Sequence, residues 1–169
     1  MTPEEKASND KQKFIDSLWH SLHEMAFLDI KRASEGKSKM GVFILASCFI
    51  DYLAGFRYGK NTKGLDYVRF AKEYLIAKYD ASKLYQDLRC KLVHNYSEGG
   101  SYAFTDNHPE QHKNKIPDGR IMLNLEDFIS DIEDVLNKYF DELRADDEIF
   151  KLAQNRYAKL GILKIIPLK

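Results

Sequence analysis

The stretch Arg89-Cys90-Lys91-Leu92-Val93-His94-Asn95-Tyr96 places a guanidinium, an imidazole, an amide and a phenol close together in the chain. Cutting RNA without a metal needs a group that takes the 2′-hydroxyl proton, one that protonates the leaving oxygen, and positive charge on the developing phosphorane. Histidine titrates near about pH 6.5 when unperturbed, so His94 suits either proton-transfer role. Arginine stays charged and forks onto phosphate oxygens, which suits Arg89 to anchor the transition state. Asn95 can orient the imidazole or the scissile phosphate, and Tyr96 can stack a base or donate a hydrogen bond. Five residues along an ideal α-helix is a rotation of about 140°, so Arg89 and His94 of one chain should diverge. A two-fold dimer, with Arg89 of one protomer facing His94 of the other, is the arrangement expected to join them. The structural alternative has Arg89 paired with Asp87 or Asp51 and His94 at the helix C-terminus, where a cation is favoured.

Other residues fall around this pair. Asp51 stands in the most apolar stretch of the chain, where a carboxylate needs a partner, and it is assigned a supporting role through a salt bridge. Arg57, Lys60, Lys63 and Lys91 are candidate phosphate contacts. Gly59 to Gly64 lacks the Lys-Ser/Thr that a phosphate-cradling loop carries after its second glycine, so it reads as a basic connection. His20, His23 and Glu24 share a helix, and Asp106, His108, Glu110 and His112 share a loop. Neither set has a ligand framework, so both read as solvated side chains, with no metal and no cofactor expected. His108 or His112 would touch RNA if their loop folded over the site.

These residues need elements to hold them. Phe14, Leu18, Leu22, Met25 and Ala26 predict a first helix from Pro3 or Ser8 to Lys31. A second, nearly encircled by apolar residues, spans Met40 to Phe56, and a shorter third carries Leu65, Val68, Phe70, Ala71 and Leu75. Asp80 or Ser82 caps a fourth, whose stripe Leu84, Leu88, Leu92 and Val93 runs into the Arg89–His94 stretch and stops near Tyr96, before Ser97-Glu98-Gly99-Gly100. Ser101 to Thr105 and Arg120 to Leu123 read as the strands of a hairpin with a long tip from Asp106 to Gly119. Asn124 caps a fifth helix through its side chain. A last helix from Asp146 to Leu160 stops at Gly161, and the apolar tail Ile162 to Lys169 is expected to pack. The expected fold is all-α. It is one domain over 1–169, an antiparallel four-helix-bundle core with a small β-hairpin insertion at about 100–124 and an extra C-terminal helix.

Composition bounds the function. With 26 Lys and Arg against 26 Asp and Glu, the net charge is zero, which argues against coating nucleic acid by bulk attraction. Charge is nonetheless segregated: basic residues exceed acidic ones by about four over 57–120, while 121–150 is strongly acidic. The run Met40 to Phe56, broken by Ser47 and Asp51, is shorter than the roughly 20 apolar residues of a membrane span and reads as a buried helix. The start of the chain is polar and partly acidic, unlike a secretion signal. Cys48 and Cys90 lie among apolar neighbours, as reduced thiols do. A cytoplasmic protein without membrane association is the expectation.

Arg89, His94 and Tyr96, with the helix Leu45 to Phe56 and the segment Asp80 to Tyr96, resemble the HEPN domain family, over about half of the chain. Its ribonuclease members carry an arginine, then four to six residues, then a histidine, late in a helix of a bundle. The resemblance implies a metal-independent endoribonuclease, a homodimer, acting as a toxin or defence effector and leaving a 2′,3′-cyclic phosphate. It also implies the subgroup with Arg-x4-His-x-Tyr, whose tyrosine, here Tyr96, is adenylylated by a minimal nucleotidyltransferase antitoxin. Cys90 departs from the pattern, in which a polar residue commonly follows the arginine. The alternative expectation is a non-catalytic module of the same fold that binds RNA, nucleotide or a partner protein.

Overall fold

The computed structural model describes residues 2–75, 79–96 and 100–162. Helices dominate it. Helix α1 (Pro3–Trp19) starts at a capping box in which the Thr2 hydroxyl accepts from the Glu5 amide and the Glu5 carboxylate accepts from the Thr2 amide. The helix does not stop at Lys31. It continues through a π-helical segment, His20–Phe27, into α2 (Leu28–Glu35) and ends at Gly36 and the left-handed Lys37. The buried residues Leu18, Leu22, Phe27 and Ile30 explain the wide turn. The step from Leu22 to Phe27 is five residues, and i→i+5 bonding keeps both on the core face.

Helix α3 (Lys39–Tyr58) is the centre of the molecule, packed against α2, a fourth helix, α4 (Gly64–Tyr74), and two later helices, α7 (Leu125–Ala145) and α8 (Asp147–Leu160). Its length and composition match a membrane span, but 56% of its most apolar window is buried inside the fold, as in a core helix. Val42, Phe43, Ala46, Ile50, Leu53 and Phe56 are all at most 1% exposed. Gly59 ends α3 at φ +66°, and a Cβ there would lie 2.9 Å from the Leu152 carbonyl oxygen of α8. Gly59→Ala should therefore lower stability by about 1–3 kcal/mol, from the left-handed backbone and the overpacking together. A shift of the urea midpoint at unchanged slope would measure it.

The fourth predicted helix is composite: α5 (Ala81–Lys83), a second π-helical segment, Leu84–Cys90, and α6 (Lys91–Asn95). Asp80 caps it, its Oδ1 accepting from the amides of Ser82 and Lys83 at 3.0 Å each. Tyr96, left-handed at φ 49°, ends it. Of the expected stop, Ser97 to Gly99 lie outside the described residues.

The hairpin is not formed. Strands β1 (Tyr102–Thr105) and β2 (Ile121–Asn124) pair in parallel, Tyr102 beside Ile121 and Thr105 beside Asn124. Residues 106–120, with a short 3₁₀ turn at Pro109–Gln111, are long enough for the crossover a parallel pair requires. The antiparallel partner of β2 is instead the loop itself. Ile116 turns back through Gly119, and Lys113 and Asn114 exchange backbone bonds with Met122.

Asn124 precedes α7 but does not cap it as expected. Its buried side chain accepts from the His108 amide and donates to Asp127, so it ties the loop to the helix instead. Asp146 caps α8, which ends at Gly161 with φ 69°. Ile162 packs against the core, and residues 163–169 lie outside the described residues. Cys90 is half-buried, and Cys48 is exposed but lies among Met25, Ala26, Leu45 and Phe49.

Candidate functional site

Arg89 lies near the end of the π-helical segment Leu84–Cys90 and His94 stands in α6, yet their side chains meet. The steps from Cys90 to His94 are α-helical, so it is the length of the arginine side chain that spans the gap. Arg89 Nη1 lies 3.3 Å from His94 Nε2 within one protomer. The expected divergence is overturned, because the two side chains meet within one chain.

A guanidinium only donates, so Nε2 of His94 accepts in this contact. The pair is anchored from beneath. Arg89 Nη2 donates to Asp51 Oδ2 at 3.1 Å, and the Thr62 hydroxyl donates to Asp51 Oδ1 at 2.6 Å. The Arg89 and Asp51 side chains are 22% and 23% exposed, dry enough for the pair to hold a geometry. Burial pulls the Arg89 guanidinium down, but the Asp51 carboxylate outweighs it and holds the group above its ordinary value. Arg89 is thus a fixed, permanently charged arm, while His94 stands exposed above it.

Its neighbours fix the helix. Tyr85 is packed against Gly64, where a Cβ would lie 2.6 Å from the ring, so glycine makes the close approach feasible. The Tyr85 hydroxyl is pushed above its usual range, first by a hydrogen bond with Cys90 and then by burial. The Cys90 thiol is therefore engaged with Tyr85. Partial burial also raises the Cys48 thiol, Arg89 opposing and Asp51 assisting.

Lys91 pairs with Asp87 at 2.7 Å, one turn along the same helix. Burial pushes the Asp87 carboxyl up, but hydrogen bonds from Lys91 and Ser101 outweigh it and hold it below its ordinary value. The stabilisation is then fully present above the unfolded pKa of about 4 and is lost as pH falls through the lower folded value. Wild type should lose stability on acidification below about pH 4 more steeply than Asp87→Asn, as denaturant midpoints across pH would show.

The remaining candidates divide. Lys60 and Lys63 flank Thr62, so the basic loop comes to Asp51, with Lys60 paired to Asp66 at 2.7 Å and Lys63 exposed. Arg57 is not at the cleft. Its Nε donates to the Tyr74 hydroxyl at 2.9 Å, and it lies 3.9 Å from both Glu73 and Glu142, carboxylates of α4 and α7. Asn95 and Tyr96 are exposed, Tyr96 at 70%.

His112 is not solvated. Its Nδ1 accepts from the Asn124 amide, its Nε2 lies 3.0 Å from the Tyr79 hydroxyl, and that hydroxyl donates to Asp131, which Lys113 also meets at 3.0 Å. This network pins the 106–120 loop to α7. His108 pairs with Glu110 in solvent, and His23 stacks on Trp19 and meets Glu24. Among the described residues, no three His, Cys, Asp or Glu side chains gather as a metal ion would need.

Thr62 was not foreseen, because its loop reads only as a basic connection; its contact depends on how the chain returns from α3. Arg156 was also missed. It lies three residues after buried Ala153, on the inward side of α8, and that spacing was the available signal.

Comparison with protein-family models, with curated proteins and with solved structures finds no match.

Proposed function

We propose that this chain is a metal-independent endoribonuclease of the HEPN type, built on a helical bundle, that cleaves RNA by attack of the 2′-hydroxyl on the adjacent phosphate. The observation that carries the reading is the Arg89–His94 contact on an exposed face, with Asp51 holding the arginine. When RNA arrives, Arg89 exchanges its bond to His94 for one to a phosphate oxygen and keeps its bond to Asp51. His94 Nε2, so released, takes the proton of the 2′-hydroxyl. The oxygen attacks phosphorus, the bond to the 5′-oxygen breaks as that oxygen takes a proton from water, and Arg89 balances the charge on the phosphorane. Lys63 adds positive charge beside the strand, and Asn95 and Tyr96 border it.

A homodimer, as the resemblance implies, would set two complete sites side by side rather than assemble each from two chains. The exposed Tyr96 phenol is open to adenylylation by a nucleotidyltransferase antitoxin, which would place bulk and negative charge two residues from His94. The reading fits a cytoplasmic toxin or defence effector. Incubation of the pure protein with mixed RNA in a chelator should yield 2′,3′-cyclic phosphate ends. Cleavage that stops on chelation, or 3′-hydroxyl ends, would overturn it.

The second reading, a non-catalytic module binding RNA, nucleotide or a partner protein, draws on Cys90. Its thiol faces Tyr85, so the position after the arginine supplies no polar group to the pair.

A further inference from the structure

Arg156 reaches from α8 onto the face of α3 that bears Asp51. Its guanidinium lies over the Phe56 ring at 5.7 Å, and its Nε occupies the space above Gly55, where a Cβ would meet it at 2.8 Å. The same Cβ would lie 3.3 Å from the Lys60 carbonyl oxygen, so the basic loop Lys60–Lys63 borders the guanidinium. Burial lowers the Arg156 guanidinium somewhat, with Tyr52 and Asp51 opposing, which places Asp51 within electrostatic reach of Arg156 as well as Arg89. Asp51 is already committed to Thr62 and Arg89. Arg156 Nε and Nη1 are buried with no hydrogen-bond acceptor among the described residues. Buried donors are rarely left so, and Arg156 as a whole is partly exposed, so an anion can reach its outer edge.

The spacing suits a strand. Asp51, which carries Arg89, and Gly55, which seats Arg156, are one turn apart on α3, about 6 Å at 1.5 Å per residue. The two guanidiniums are therefore seated on neighbouring turns of one helix, where a single strand can meet both.

We infer that Arg156, with Lys63, binds the phosphate next to the one gripped by Arg89 and His94, so that the site takes RNA across two successive phosphates. This rests on the ribonuclease reading and adds a subsite to it.

Each phosphate contact to a single strand contributes about 0.7 to the slope of log affinity against log salt. On a His94→Ala background, which leaves the probe uncut, Arg156→Gln and Lys63→Gln should each flatten that slope by about 0.7 for a single-stranded RNA oligonucleotide. Lys63 is exposed, so its variant tests the subsite even if Arg156→Gln unfolds, and Arg156→Lys should keep the slope. In the cleavage-competent protein, Arg156→Gln should lower kcat/KM for a trinucleotide relative to a dinucleoside monophosphate by about tenfold, the loss of one charged contact. Slopes equal to the parent's in both Gln variants would overturn the subsite and leave the nuclease standing. Wild-type protein that neither binds nor cuts RNA would remove both.

Discussion

His94→Ala should reduce RNA cleavage by about 10²–10⁴-fold, the range over which a positioned general base contributes. Stability should stay within about 0.5 kcal/mol of wild type, because His94 is exposed and, among the described residues, its side chain bonds to Arg89 alone. The two readouts together matter. A variant that loses cleavage while keeping its denaturant midpoint has lost chemistry, not structure. His94→Ala that cleaves at the wild-type rate would remove the imidazole from the mechanism.

Asp51→Ala should cost both activity and stability. Its carboxylate accepts from Thr62 and Arg89, and hydrogen bonds to a charged acceptor are worth about 1.5–3 kcal/mol each when dry. At roughly a quarter exposed the pair is partly screened, so the loss should be about 1–3 kcal/mol in total. Freed from Asp51, Arg89 no longer waits in one place, and a misplacement of about 1 Å can cost 10²-fold in rate. Asp51→Asn keeps an acceptor for Thr62 and should retain more stability than activity. Equal losses from Asn and Ala in both assays would mean that Asp51 acts on the fold alone.

Much of the helical layout was legible because apolar periodicity is a local property. Leu84, Leu88 and Leu92 mark the inward face of the segment that carries Arg89, and Asp80 marks its start. The same periodicity could not announce the π-helical turns. The i→i+5 step at Leu22–Phe27 is written in the sequence, yet it is equally compatible with a helix that ends. The strand pairing was misjudged for a related reason. Two short strands with a polar connection suggest a hairpin, but Lys113 and Asn114 compete for the antiparallel edge of β2 and win it through proximity in the chain. Charged residues were the least legible: Arg57 and Arg156 look alike in the sequence, and only the packing of α7 and α8 onto α3 sends one to Glu142 and the other toward Asp51. His112 shows the same limit, since its burial depends on Tyr79 and Asp131, both distant in sequence.

We propose that one chain carries a complete guanidinium–imidazole pair able to cut RNA. A chelator-treated cleavage assay with end-group analysis tests this on four samples: wild type, Arg89→Ala, His94→Ala, and the two variants mixed. Cyclic-phosphate ends are expected from wild type alone, with the mixture as inactive as its parts. Activity restored by mixing would show that the pair is shared between chains, and an inert wild type would contradict the claim altogether.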